Sequence, residues 1–391
     1  MTRPTPPRMH WPEGAARPVA PPLQMSVVYA ADTPDALDAI YEGRAAGYTY
    51  SREGHPNAAV LADRIAALEG APNPGLVTGS GMSAVAAVMF ALLQSGDRVV
   101  GGDQLYGRSL RLMAEELPRL GMRTALADPT DAAAMGRALE GGARLVLVEA
   151  VSNPTLRVAD MEGIIAAAHA AGALVVVDNT FTTPAAYAPF DHGADVVIHS
   201  VTKLLAGHSD AMAGWVCARD PEIMRRIEVT AVTLGLTPSP FDCWLSERGV
   251  MSFALRHRQA SETAAALADA LAGMEGVRRV IYPGRADHPD HARAAALLGG
   301  RYGNMVSFEV EGGRAAANAL AAAAEGVAFA PTLGDVGTTL SHPASSSHRG
   351  LTAAGREALG ITEGFFRVSV GLEPAPDLIG RFARAVEATR A

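Results

Sequence analysis

The sequence predicts an α/β protein in two unequal parts: a larger unit on a mostly parallel sheet covered on both faces, then a smaller α+β unit. Three observations carry that expectation. The chain has 391 residues, more than one hydrophobic core usually supports. From about Asn57 to Asp220 short apolar runs alternate with Ala-rich helical patterns, the rhythm of parallel strands joined by crossover helices. After Asp220 that rhythm gives way to a long helical region and widely spaced strands.

Residues 1–56 are rich in proline and poor in periodicity, which predicts an extended arm that packs on something else, such as a neighbouring subunit. The larger unit, 57–250, opens with a helix through Leu68, a strand near Gly75 to Thr78 and an apolar helix from Met82 to Leu93. Arg98 to Val100, Thr124 to Ala127, Arg144 to Glu149, Ala173 to Asp178 and Ala194 to His199 read as buried strands, with helical patterns such as Met161 to Ala171 between them. In 251–391 the periodic stretch Phe253 to Met274 joins the two units. Val277 to Tyr282, Met305 to Val310 and Phe365 to Val370 read as strands, and Leu378 to Thr389 as a closing helix.

Composition excludes several classes of partner. A net charge of −8 without a Lys/Arg run repels phosphate backbones, so no nucleic acid is expected. Cys217 and Cys243 are too few and too far apart for a disulfide framework or a CxxC motif. The Pro- and Arg-rich start lacks the apolar centre of a secretory signal, and later apolar runs are cut by charges or Gly. No membrane partner and a cytoplasmic location are therefore expected.

Ligands of open α/β sheets bind beyond the carboxyl ends of the strands, so the residues after each strand carry the functional reading. Gly79-Ser80-Gly81-Met82-Ser83-Ala84 lies between a strand and a helix, where free N–H groups and the helix dipole suit a phosphate. It also matches the G-x-G-x-x-A dinucleotide fingerprint, with Asp103 as a candidate ribose partner. An oxidoreductase and a plain tight turn thus stand beside the phosphate reading. Two later strand ends point elsewhere: one run delivers Asp178, the other His199, Ser200, Thr202 and Lys203. Asp178 and Lys203 could form an ordinary ion pair. They also supply what pyridoxal 5′-phosphate (PLP) requires, an amine that forms a Schiff base and shuttles protons, and a carboxylate that keeps the pyridine nitrogen protonated. A nicotinamide enzyme needs neither.

Asp178-Asn179-Thr180-Phe181 and Ser200-Val201-Thr202-Lys203, followed by Gly207-His208-Ser209-Asp210, resemble the signature of the Cys/Met-metabolism family of PLP enzymes. The resemblance runs from about Tyr48 to the C-terminus. That family comprises cystathionine γ-synthases, cystathionine γ- and β-lyases, methionine γ-lyases and O-acylhomoserine sulfhydrylases. The likeness implies a fold-type I PLP-dependent transferase architecture, usually a homotetramer of two dimers, with PLP on Lys203 and a small sulfur-amino-acid-type substrate. It assigns the phosphate cup to Ser80, Gly81 and Met82, with hydroxyls from Ser200 and Thr202. Tyr106 is implied to stack on the ring and exchange a proton with the leaving group. Asn153, in the stretch from Glu149 to Thr155, is implied to lie beside the cofactor's phenolic oxygen and the substrate.

By the same resemblance, Tyr50 and Arg52 in Tyr48-Thr49-Tyr50-Ser51-Arg52 reach the PLP phosphate of a neighbouring subunit, so that active sites are shared. Arg367, within the apolar run Phe365 to Val370, would clasp the substrate α-carboxylate, a bidentate task suited to guanidinium. A buried ion pair is the alternative. No metal is expected. His288 and His291 flank Pro289 without neighbouring ligands, and His342 and His348 read as packing or solvent residues near the cleft.

Three departures bear on substrate. Pro331-Thr332-Leu333-Gly334 stands where the family has Ser-Leu-Gly, preceded by Glu in many cystathionine-binding enzymes. Loss of that acid removes a partner for cystathionine's distal ammonium, with Thr332 kept as a candidate substrate contact. Arg108 replaces the cysteine common in methionine γ-lyases two residues after the stacking tyrosine; facing the cleft it would suit an anionic or ester-activated distal group, and an outward orientation is the alternative. His55-Pro56-Asn57 replaces Asn-Pro-Thr and is expected to alter the cleft's polar rim. The expected reaction removes the Cα proton, shuttles protons at Cβ and expels a γ-substituent. It ends in replacement by a thiol or in release of a 2-oxo acid and ammonia. β-Elimination is the nearest rival. A dinucleotide-binding oxidoreductase and a non-catalytic PLP carrier are remote ones.

Overall fold

Seven strands form the larger sheet of the computed structural model, which describes residue 16 and residues 18–390; residues 1–15 of the expected arm lie outside the described residues. The strands are β1 (Leu76–Thr78), β2 (Arg98–Gly102), β3 (Arg123–Ala127), β4 (Leu145–Val148), β5 (Leu174–Asp178), β6 (Val196–Ser200) and β7 (Gly214–Ala218), in the order β1-β7-β6-β5-β4-β2-β3. β2 to β6 run parallel, and β7 runs antiparallel to both β1 and β6.

Valine runs encode these strands because both faces are covered. Val175 and Val177 enter a core with the helices Pro56–Glu69 and Met161–Ala170, whereas Val176 between them enters the core beneath Gly81–Leu92 and Pro221–Leu234. Each fully buried valine contributes about 1.5–3 kcal/mol relative to an exposed one. The sequence reading overlooked β7. It follows β6 without a crossover helix, since an antiparallel neighbour needs none, and so falls outside the strand–helix rhythm that marks the other strands.

A second sheet holds β8 (Val277–Ile281), β9 (Met305–Val310), β10 (Ala328–Phe329), β11 (Thr339–Ser341) and β12 (Phe365–Ser369), ordered β10-β11-β12-β9-β8. β10 and β11 were absent from the sequence reading because two and three residues are too short to show a period. Leu267 and Leu271 of the helix Phe253–Ala272, and Leu378 and Phe382 of Ala375–Glu387, close over Phe308 and Phe366. Phe253, at the start of the first of these helices, belongs instead to the core of the larger sheet. One continuous helix therefore enters both cores.

The arm is less featureless than its sequence suggests. Thr33 accepts the Ala36 N–H at 3.1 Å and Pro34 opens a helix, Pro34–Tyr41, a Ser/Thr cap followed by an N1 proline. No residue of that helix is buried. No helix among the described residues is long and apolar enough to cross a membrane.

Candidate active site

The carboxyl ends of β4, β5 and β6, the central strands of the larger sheet, meet the start of the helix Gly81–Leu92. Ser80 caps that helix, accepting the Ser83 N–H at 3.1 Å. The first-turn N–H groups of Gly81 and Met82 remain outside the intrahelical ladder. A Cβ on residue 81 would lie 2.6 Å from the Ser200 Cβ, so this approach of helix start to strand end requires glycine. Ser200 is fixed in turn by its N–H donating to Thr180 Oγ1 at 2.7 Å. Thr202 is tied to Ala213, accepting its N–H at 3.1 Å and donating to its carbonyl at 3.2 Å. Ser80, Gly81, Met82 and Ser200 thus come together as a cradle rich in donors, which fits a phosphate at a helix N-terminus.

The dinucleotide reading fails on topology. β1, the strand before Gly79, is the sheet edge and pairs only with the antiparallel β7, whereas that fingerprint follows a parallel strand at the sheet's switch point. Asp103 faces Arg157 at 3.6 Å.

Asp178 ends β5 and accepts the Thr180 N–H at 3.1 Å. Burial raises its proton affinity, opposed by the Thr180 hydrogen bonds and the His199 ring. Beneath it, His199 and Asn179 close on the buried Glu69: His199 Nε2 meets Glu69 Oε1, and Asn179 Nδ2 donates to the same oxygen at 2.8 Å. Lys203 follows β6 in a tight turn in which its N–H donates to Ser200 O at 3.1 Å and its carbonyl accepts the Gly207 N–H at 2.8 Å. Burial, and then the Arg367 cation, lower the proton affinity of its amine.

Arg256, from the helix that enters both cores, holds this turn. Its Nη1 donates to Leu204 O, and its Nη2 to Leu205 O and Gly249 O, each at 2.9 Å. Gly207 has φ +76, and a Cβ there would lie 2.1 Å from Arg256 Nη1. Arg256→Ala strands two buried carbonyls, Leu204 O and Leu205 O, while Gly249 O keeps the Ser252 N–H and hydroxyl, so unfolding free energy should fall by about 2–4 kcal/mol. Urea denaturation reads this directly, and a loss under about 1 kcal/mol would mean the clamp is dispensable.

Arg367 lies in β12, 6% exposed. Its Nη1 donates to Asn153 Oδ1 and its Nη2 to Thr332 O, both at 2.6 Å, while Nε has no partner among the described residues. No carboxylate among the described residues meets it, so the ion-pair alternative is not what the geometry holds. Burial pushes its pKa down to about 10, still far enough above neutral to stay charged. Thr332 Oγ1 stands 3.5 Å from Lys203 Nζ. Burial and the Arg367 charge hold His348 at about 4, a neutral ring beside the cation. Tyr106, 42% exposed, is fixed by its N–H donating to Glu149 Oε1 at 2.7 Å.

Tyr50 and Arg52 are not drawn into this cluster. Arg52 lies over the Tyr50 ring at 5.4 Å, and Tyr50 bridges to Val28. His55 and Asn57 do not line a polar rim, contrary to expectation. Both are buried: His55 Nδ1 caps the Ala58 N–H, and Asn57 pins the arm through Gln24 N and Pro22 O. His288, His291 and His342 hold backbone groups: the Asp290 N–H, Pro283 O and Glu363 O respectively. Arg256 and Glu69 were missing from the sequence-based reading, and Glu149 and His348 were given no role in the site, although the first ends a strand and the second was read as lying near the cleft.

A family model described as Cys/Met metabolism PLP-dependent enzyme matches residues 10–387. The chain belongs to that family. It is 39% identical to an O-succinylhomoserine sulfhydrylase of Pseudomonas aeruginosa, covering 89% of this chain and 86% of the relative. Identity to a cystathionine β-lyase of Bacillus subtilis is 38%, over 87% and 86%. The crystal structure of a cystathionine γ-synthase from Xanthomonas oryzae pv. oryzae, in complex with aminoacrylate and cysteine, superposes with a TM-score of 0.90 at 40% identity, covering 95% of this chain and 94% of that one. The fold is the fold-type I architecture of these PLP enzymes. As a member of the family the chain is a PLP-dependent lyase or transferase of sulfur-amino-acid metabolism.

Proposed function

We propose that the chain carries PLP on Lys203 and performs γ-elimination or γ-replacement on a sulfur-amino-acid-type substrate. The observation that carries this reading is the convergence of a half-buried lysine, a half-buried carboxylate and a donor-lined helix start at neighbouring strand ends. Ser80, Gly81, Met82, Ser200 and Thr202 would hold the phosphate, and Asp178 the pyridine nitrogen. Bound there, PLP supplies an electron sink for negative charge at the substrate Cα. Lys203, whose amine is made easier to deprotonate by burial and then by the Arg367 cation, would take the proton from Cα and, once that has been passed on, one from Cβ, the loss that lets the γ-substituent leave. Arg367 binds the α-carboxylate, its guanidinium plane set by Asn153 and Thr332 O. Tyr106, exposed at the cleft, exchanges a proton with the leaving group.

Borohydride reduction of the purified yellow protein followed by peptide mapping should place pyridoxyl on Lys203. Label on another lysine would sink the assignment. The likeness to a cystathionine β-lyase supports β-elimination as the second reading. A panel of O-acetylhomoserine, O-succinylhomoserine, cystathionine, homocysteine, methionine and cysteine, each with and without a thiol, separates the two. Turnover confined to cysteine or other β-substituted substrates selects the second. Arg108 is exposed, without an ion pair among the described residues. Within the panel Arg108→Ala should raise KM for the succinyl ester more than for the acetyl ester.

The working division remains an arm to residue 56, a PLP-binding unit 57–250 and a smaller unit 251–391. A homotetramer with shared sites is supported by the arm, whose Leu23, Met25, Val27, Val28 and Tyr41 are exposed, an apolar series that calls for a covering surface. Both cysteines are free and buried, which suits the reducing cytoplasm.

A further inference from the structure

β4 and β5 are parallel neighbours in register, Val148 beside Val177, so the next residues, Glu149 and Asp178, leave the sheet side by side on the same face, about 4.8 Å apart along the hydrogen-bonding direction. Asp178 has the Thr180 N–H and hydroxyl to stabilise its charge. Glu149 has the Tyr106 N–H on Oε1 and no partner on its second oxygen among the described residues. Carboxylates on side-by-side positions of neighbouring strands repel when both are ionised, and the one with fewer donors holds its proton more tightly. Burial and the neighbouring Asp178 hold Glu149 well above the usual carboxylate range.

We propose, building on the reading of Asp178 as the pyridine partner, that Glu149 is a positioning residue kept as a neutral carboxylic acid: its Oε1 fixes the backbone of the Tyr106 turn, and its retained proton leaves Asp178 as the only anion of the pair. Tyr106 belongs to the turn after β2, so this side chain ties the cleft tyrosine to the strand end beside Asp178. An ionised Glu149 would place a second negative charge beside Asp178 and raise that acid's own proton affinity, spoiling it as a fixed anion. A side chain too short to reach would release the Tyr106 turn.

Infrared spectra of the holoprotein at neutral pH, wild type minus Glu149→Gln, test the protonation directly. The carbonyl band of a protonated acid should be lost, and loss of an ionised carboxylate band instead overturns the proposal. Kinetics test the positioning. Glu149→Ala should lower kcat roughly 10- to 100-fold through displacement of Tyr106, and Glu149→Gln, neutral and of equal length, should recover most of that loss where Glu149→Asp does not. A Gln variant no better than Ala also overturns it. Pyridoxyl labelling at Lys203 stands apart from both measurements, so failure here is distinguishable from failure of the cofactor assignment.

Discussion

Lys203→Ala should cost roughly 10³- to 10⁴-fold in turnover, since one side chain supplies both the cofactor attachment and the proton transfers. The larger claim is about where its partners reside. Within one chain Tyr50 and Arg52 contact each other rather than the cluster around Lys203, so Arg52→Ala should also be nearly inactive if a second subunit uses them. Suppose the two variants are unfolded together and reassembled at random. About half the dimers are then mixed, each has one site with both residues intact, and about a quarter of wild-type activity returns. If both residues served their own chain's site, every site would stay damaged. Recovery no greater than that of the separate variants, in samples shown to contain mixed dimers, excludes sharing at Arg52.

Arg367→Leu should reduce kcat/KM about 10²-fold or more for every α-carboxylate substrate, because a buried charged donor pair is lost from the bound state. It should also move proton equilibria in a fixed direction. Burial lowers the proton affinity of the Lys203 amine and the Arg367 cation lowers it further. Removing the cation cancels the second effect and leaves the first, so the amine becomes easier to protonate. The pH dependence of Lys203 acylation in cofactor-free protein should therefore shift to higher pH in the variant. His348, held at about 4 partly by the same charge, should titrate higher as well, which the imidazole proton resonances report. Unchanged profiles for both groups would mean that the guanidinium does not act on them.

The parts of this molecule that could be read from the sequence are those written in contiguous residues. Ala173 to Asp178 is legible as a strand because each valine is buried on one face or the other, and Asp178 and Lys203 are legible as chemistry because polar residues interrupt such runs at their carboxyl ends. β7 escaped since it depends on pairing, not on a helix between strands. The contact between Glu149 and Tyr106 spans 43 residues and exists only because β4 lies beside β2 rather than β3, an order that no local pattern encodes. The same holds for Arg256, which reads as one polar position on a periodic helix until the fold brings it to the Lys203 turn. The apparent oddity at His55 to Asn57 dissolved for a related reason: a cap and an arm clasp look like rim residues when only their polarity is visible.

That arginine has a practical consequence. The helix bearing Arg256 begins against the larger sheet and ends among Phe308, Phe366 and Phe382, so a change in this distant packing falls on the same helix that holds the lysine turn. A screen that scores only lost turnover will gather substitutions at such positions as readily as at the cleft. Retained thermal stability cannot acquit them, and loss of colour at unchanged expression is the sign by which they can be sorted.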